Sequence, residues 1–305
     1  MSTFLDRYLA GEHVAVWEDL VALGPRVRQA RYLADATAVA DETMRRARQN
    51  VKLLLKRLDA MEYRFLPLEV YEESHRQSAN RLQAILNQAA LRSNICDGTW
   101  EKAVAFRNSK EPLLAVQNVA ERSKQMAVEF IEKAMGSGTA VWKARTAIDR
   151  PTKQTVIALD KLEKMVGGPL PLAMRAWYEQ VGGVSLLGWH SSLSPNPDEP
   201  ASLSDGEPDP LVIHPLEVHL RMAADAQKRV GGKLKNFILW AGAPGGDRYW
   251  LQLPSKCADD IFDHDRGQTF IAYLRRVFAW GGFPIPGKRR PSENIAKLKE
   301  GLLPC

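Results

Sequence analysis

The chain is poor in cysteine: Cys96, Cys257 and Cys305 are the only three in 305 residues, widely separated and without a CxxC pair. That excludes a zinc ribbon, argues against a disulfide framework, and is the usage expected in a reducing cytoplasm. Long apolar runs are also missing, since no stretch approaches the roughly 18 residues that a membrane span requires. The opening, MSTFLDRYLAGEHV, sets Asp6, Arg7, Glu12 and His13 around a short apolar patch, which is not a secretory signal. A cytoplasmic protein with no membrane partner is therefore expected.

Charge of one sign is scarce as well. The net charge is +6, with 23 Lys and Arg against 19 Asp and Glu up to residue 150, and 19 against 17 beyond it. Nucleic-acid binders concentrate positive charge more strongly than this, so composition gives little support for a polyanionic partner.

Catalytic signatures are lacking too. The six histidines (His13, His75, His190, His214, His219 and His264) form no HExxH pair, and His214 and His219, five apart, fall on different faces of any helix that spans both. The glycine-rich stretch Gly242-Ala243-Pro244-Gly245-Gly246 has no GK[ST] ending, and its proline removes a backbone donor, so it reads as a hairpin turn rather than a phosphate cradle. There is no GxSxG elbow. No cofactor, no metal ligand and no catalytic residue are expected, and the chain is not read as an enzyme.

What is present divides the chain in two. Residues 1–150 hold 5 Gly and 3 Pro, whereas residues 151–305 hold 16 and 15. Both residue types weaken helix interiors and serve turns, so the first half reads as helical and the second as turn-rich. Expected domains are a helical one over 1–135, a linker over 136–154, an α+β module over 155–285 and a locally packed tail over 286–305.

In the first half, Ala36, Val39, Ala40, Met44, Ala47, Val51, Leu54, Leu55 and Leu58 step by three or four, which predicts a long helix from about Leu33. Arg45, Arg46, Arg48, Lys52, Lys56 and Arg57 take its other sides. They read as a solvated face, with docking on nucleic acid or an acidic protein as the alternative. A shorter helix before it is expected to turn Val14, Trp17, Leu20 and Val21 inward. Further periodic segments at about 74–92, 99–107 and 112–134 suggest an antiparallel bundle.

In the second half, helices over about 155–166 and from Pro171 are followed by Gly182-Gly183 and the apolar run Val184–Trp189. A long loop over 191–210 carries Asp205, Glu207 and Asp209. Strands are expected at 211–213, 237–240, 248–253 and 260–262, a helix from Pro215 to about Gln227, and a closing helix over 269–280. The densest polar cluster is Asp259, Asp260, Asp263, His264 and Asp265. Such a group suits a divalent cation or a His–Asp dyad, but a turn with Asp serving as an Asx or capping residue explains it more simply. The tryptophans at 17, 177, 240, 250 and 280 sit in apolar runs and are expected in the core. Trp189 is the one expected at the surface.

The order of these elements resembles the SUKH superfamily. The residues that carry it are Leu170-Pro171, Trp177-Tyr178 and Gly182-Gly183, then Leu216-Glu217 after a strand, the hairpin through 242–246, and Phe270–Leu274 in the closing helix. The likeness spans about 155–285 and says nothing about the helical half. It implies an antiparallel sheet flanked by helices, with Pro171, Trp177, Gly182, Gly183 and Phe270 as residues of folding. It also implies a binding fold without shared catalytic residues, whose bacterial members are often immunity proteins that occlude a cognate toxin, commonly a nuclease. On that reading the partner-facing residues are Trp189, His190, Asp205, Glu207, Asp209, Asp263, His264 and Asp265. The alternative is a regulatory or scaffold protein docking through its basic helix.

Overall fold

The computed structural model describes residues 2–65, 147–190, 192–193, 210–232, 234, 237–241, 249–264, 266–284 and 293–305. The three periodic segments expected between 74 and 134 lie outside them. The protein is α+β, built of helices and antiparallel sheet.

The N-terminal part begins with α1 (Phe4–Leu9) and α2 (His13–Ala22), passes through a 3-10 turn (Gly24–Arg28), and enters α3 (Ala30–Ala60). Every apolar residue picked out by the three-or-four spacing, from Ala36 to Leu58, is buried on α3. Each fully buried Val, Leu or Met of this kind stabilises the fold by roughly 1.5–3 kcal/mol. Helix α2 turns Val16, Trp17 and Leu20 inward, and the Trp17 indole donates to Thr43 Oγ1 on α3 at 3.1 Å. Val14, expected inside, is 52% exposed because α2 is rotated to seat Trp17 against α3.

Strand β1 (Arg64–Phe65) pairs with β4 (Gly188–Trp189). The remaining elements are β2 (Ile148–Asp149), α4 (Lys153–Val166), α5 (Leu172–Gln180), β3 (Gly183–Ser185), β5 (Val212–Ile213), α6 (Leu216–Val230), β6 (Phe237–Ala241), β7 (Tyr249–Leu253), β8 (Ile261–Asp263), β9 (Gln268–Thr269), α7 (Phe270–Ala279) and α8 (Glu293–Lys299). Seven of the described strands join in one antiparallel sheet, ordered β2-β3-β5-β6-β7-β8-β9, with α4 and α5 between β2 and β3, α6 between β5 and β6, and β4 paired elsewhere with β1. Helix α4 starts on a capping box between Thr152 and Thr155 and stops at Gly167, whose φ is +78°.

Two expectations about domain limits are corrected. Residues 1–66 and 142–305 form one compact unit, so residue 135 does not separate a helical domain from an α+β one. The apolar stripe of α3 needs a cover, and α5 and the segments around Leu186 and Phe283 supply it. Gln180 donates to Asp41 at 2.9 Å, Tyr63 donates to the Leu186 carbonyl at 2.8 Å, and the Tyr63 ring lies 5.8 Å from Phe283. Arg28 likewise donates to the carbonyl oxygens of Leu170 and Lys256. The second correction concerns the tail. Ile295 and Leu298 of α8 are buried against α3, and Arg57 donates to the Leu298 carbonyl at 2.7 Å.

Three of the folding residues of the second half, Trp177, Gly182 and Phe270, meet at one place. Trp177, with no exposed surface, donates from Nε1 to the Gly182 carbonyl at 2.7 Å and stands edge-on to Phe270, with ring centroids 5.5 Å apart. Gly182 adopts φ +91°, and a Cβ there would run into the Asp149 carbonyl on β2. Gly183 lets the Pro215 backbone approach, and Pro171 occupies the N-cap position of α5 without a side-chain capping bond.

Candidate functional site

Strand β7 alternates in burial, which fixes what its two faces do. Tyr249, Leu251 and Leu253 point into the core, while Trp250 is half-buried and Gln252 exposed on the other side. Across the ladder, Ile238 pairs with Gln252 and is also half-buried, so this face of β6 and β7 is not fully covered.

On this face Trp250 and His264 form a plate. Their rings stack with centroids 3.5 Å apart and planes 8° from parallel. His264 Nε2 donates to the Trp250 carbonyl oxygen at 3.1 Å, which fixes the imidazole on the indole. The apolar neighbours of Trp250 place it in the core by sequence, but its side chain is only half-buried, on the face of β7 opposite Tyr249, Leu251 and Leu253.

Directly beside the plate, Asp263 is wholly buried. Its carboxylate accepts from the Arg266 backbone N–H and Nη1, each at 3.2 Å, and from Arg276 Nη2 at 2.8 Å. Arg276 Nη2 also lies 2.9 Å from the Tyr249 hydroxyl. Asp263 is therefore corrected from a partner-facing residue to an internal one: its charge is held by the largely buried Arg276 guanidinium and by that of Arg266 at the surface. A carboxylate this deeply buried persists only when paired and hydrogen-bonded.

Asp259 and Asp260 are also hydrogen-bonded within the fold. Asp259 Oδ2 accepts from the Ile271 N–H in the first turn of α7 at 2.9 Å, and its Oδ1 accepts from Asp260 N–H at 2.9 Å. Burial pushes the Asp259 carboxyl up to about 6, against the hydrogen bonds from Ile271, Thr269 and Asp260, which favour its charged form. Asp260 accepts from Ser255 Oγ at 2.6 Å. The cluster is a capped turn, and among the described residues no three His, Cys, Asp or Glu are grouped to hold a metal ion.

His190 has other partners than His264. Its Nδ1 accepts from the Ser192 backbone N–H at 3.1 Å and lies 2.7 Å from Ser192 Oγ, while Asn294 of α8 donates to the Ser192 carbonyl at 3.0 Å. Asp205, Glu207, Asp209, Asp265 and the side chain of Trp189 lie outside the described residues, so the acidic surface expected of the loop lies outside them too.

His219 carries no signal in the sequence beyond its spacing from His214. It is completely buried on α6, its ring 6.2 Å from Tyr178 and 6.1 Å from His214. Burial, with His214 adding to it, pushes His219 down to about 3, so the ring is neutral near pH 7. The basic side of α3 is divided. Arg46 is tied to Glu42 at 2.8 Å, and Arg57 to α8, whereas Arg48, Lys52 and Lys56 are exposed in one stripe and Arg45, also exposed, pairs with Glu42 at 2.6 Å.

Among the described residues no helix is long and apolar enough to cross a membrane. No family model, no curated protein and no solved structure matches the chain.

Proposed function

We propose that this chain is a non-catalytic, cytoplasmic protein-binding module of the SUKH type, and that it works as an immunity protein by binding and occluding a cognate toxin such as a nuclease. The observation that carries the reading is the Trp250–His264 plate on the partly covered face of β6 and β7. Stacked and anchored, the pair offers a rigid aromatic surface that costs little entropy to dock, as interface anchors do. The order of elements from Leu170-Pro171 through Gly182-Gly183 to the closing helix at Phe270 supports the family resemblance. Buried acids such as Asp263 then act indirectly, by holding the end of β8 from which His264 projects. A tagged full-length chain recovered from its native host tests this: one dominant partner of toxin or nuclease character, in near-equal amount, is the expected result. Many weak partners, or none, would overturn it.

A second reading makes the chain a regulatory or scaffold protein that docks through α3, favoured by the exposed stripe Arg48, Lys52 and Lys56. It requires nucleic-acid or acidic-protein affinity that falls steeply with salt and is lost in a chain carrying Arg48→Glu, Lys52→Glu and Lys56→Glu. Salt-insensitive or absent binding would remove it.

A further inference from the structure

We infer that the groove between α3 and α7 is a peptide-binding site that reads main chain, filled in this protein by its own residues 301–305. This site is separate from the sheet face above and does not depend on it.

The starting point is Asn50, a polar residue in the apolar stripe of α3 and only 1% exposed. A buried amide is costly unless its hydrogen bonds are made. Here both are made to one residue of a segment without regular secondary structure: Asn50 Nδ2 donates to the Leu303 carbonyl at 2.9 Å, and Asn50 Oδ1 accepts from the Leu303 N–H at 2.7 Å. A neighbouring β-strand would make the same two-point contact. One turn earlier on α3, Arg46 Nη1 donates to the Pro304 carbonyl at 3.3 Å. From the other wall, Arg275 of α7 donates to the Cys305 main-chain oxygen and to the His13 carbonyl, each at 2.6 Å.

The side chains of the segment show what is recognised. Leu303 and Pro304 are exposed even though their main chain is held on several sides, so the groove does not select at those positions. Cys305 is the anchor. It is 3% exposed, with Asn50 Nδ2 3.7 Å from its sulfur, and burial pushes its thiol up to about 12. The seat therefore takes a small, uncharged side chain. A cavity of about 810 Å³ opens beside the segment, bounded by His13, Arg275, Phe278 and the segment itself. It leaves room for chain to enter or leave without unpacking α3. The ligand class is an extended peptide whose main chain pairs with Asn50 and whose small uncharged residue fills the Cys305 seat.

The test uses the full-length chain and a fluorescent synthetic peptide, Lys-Glu-Gly-Leu-Leu-Pro-Ser. A Cys305→Asp chain, whose own segment is poorly seated, is expected to bind this peptide at least tenfold more tightly than the wild type, and adding Asn50→Leu is expected to abolish binding. The wild-type chain gives a second readout, free of folding concerns: the alkylation rate at Cys305, resolved by mass spectrometry. Excess peptide is expected to raise that rate severalfold by displacing the segment, and the same peptide ending in Glu is not. No peptide binding by a folded Cys305→Asp chain, binding indifferent to Asn50→Leu, or a Cys305 rate unmoved by peptide would each overturn the proposal.

Discussion

Asp263 and Arg276, thirteen residues apart, meet inside the fold with Arg276 Nη2 2.8 Å from a carboxylate oxygen that has no access to solvent. The contact joins the end of β8 to α7, and His264, the next residue, carries the imidazole that stacks on Trp250. A polar stretch that reads as surface in the sequence is thus the internal brace of the candidate binding face.

Breaking that brace is expected to be costly. Asp263→Ala leaves the Arg276 guanidinium without its carboxylate in a largely buried setting, and loss of one partner of a buried pair costs about 3–5 kcal/mol. Urea denaturation should show a drop of this order. A change below about 1 kcal/mol would mean that the pair is solvated.

Two buried groups set opposing pH slopes. His219 has a folded value of about 3 against 6.5, so the unfolded chain takes the proton first and the relative stability present above about 6.5 is lost as pH falls toward 3. Asp259 has a folded value of about 6 against 3.8, so the folded chain takes the proton first and the relative stability present below 3.8 is lost as pH rises through 6. Each contributes a slope of about 1.4 kcal/mol per pH unit, with opposite sign, and between about pH 4 and 6 they nearly cancel. In a His219→Phe chain stability should fall as pH rises from about 4 to 6, and in an Asp259→Asn chain it should rise. Parallel urea-midpoint profiles for the two variants would contradict this assignment.

Gly182→Ala is expected to be among the most damaging single substitutions. A methyl there meets the Asp149 carbonyl, and φ +91° is strained for alanine. The β2–β3 pairing and the hydrogen bond from Trp177 both depend on this backbone. A thermal midpoint unchanged within a degree or two would show that β2 can move aside freely.

How far the sequence revealed these features depends on the range of the interactions. The stripe from Ala36 to Leu58 repeats with the helical period, so α3 was legible, and strands β6 and β7 were legible from their apolar runs and the turn residues between them. The closing helix and Gly182-Gly183 were legible for similar local reasons. Other features rest on partners distant in the chain. Asn50 holds Leu303 from 253 positions away, and neither residue has a pattern that announces the other. Val14 faces outward because Trp17 sets the rotation of α2, a choice among faces that composition leaves open. Asp263 looked exposed because polarity was legible and its two arginine partners, three and thirteen positions on, were not. The Trp250–His264 plate had one signal available: a tryptophan at the outward position of an alternating strand, YWLQL.

The most direct test of the binding face is a quantitative pull-down from the native host, comparing the wild-type chain with one carrying Trp250→Ala and His264→Ala. Neither residue is fully buried, so the variant is expected to melt near the wild type. The account predicts that the wild type recovers one protein in near-equal amount and that the variant recovers at least tenfold less of it. Equal recovery of the same protein by both chains would contradict the claim that this face binds the partner.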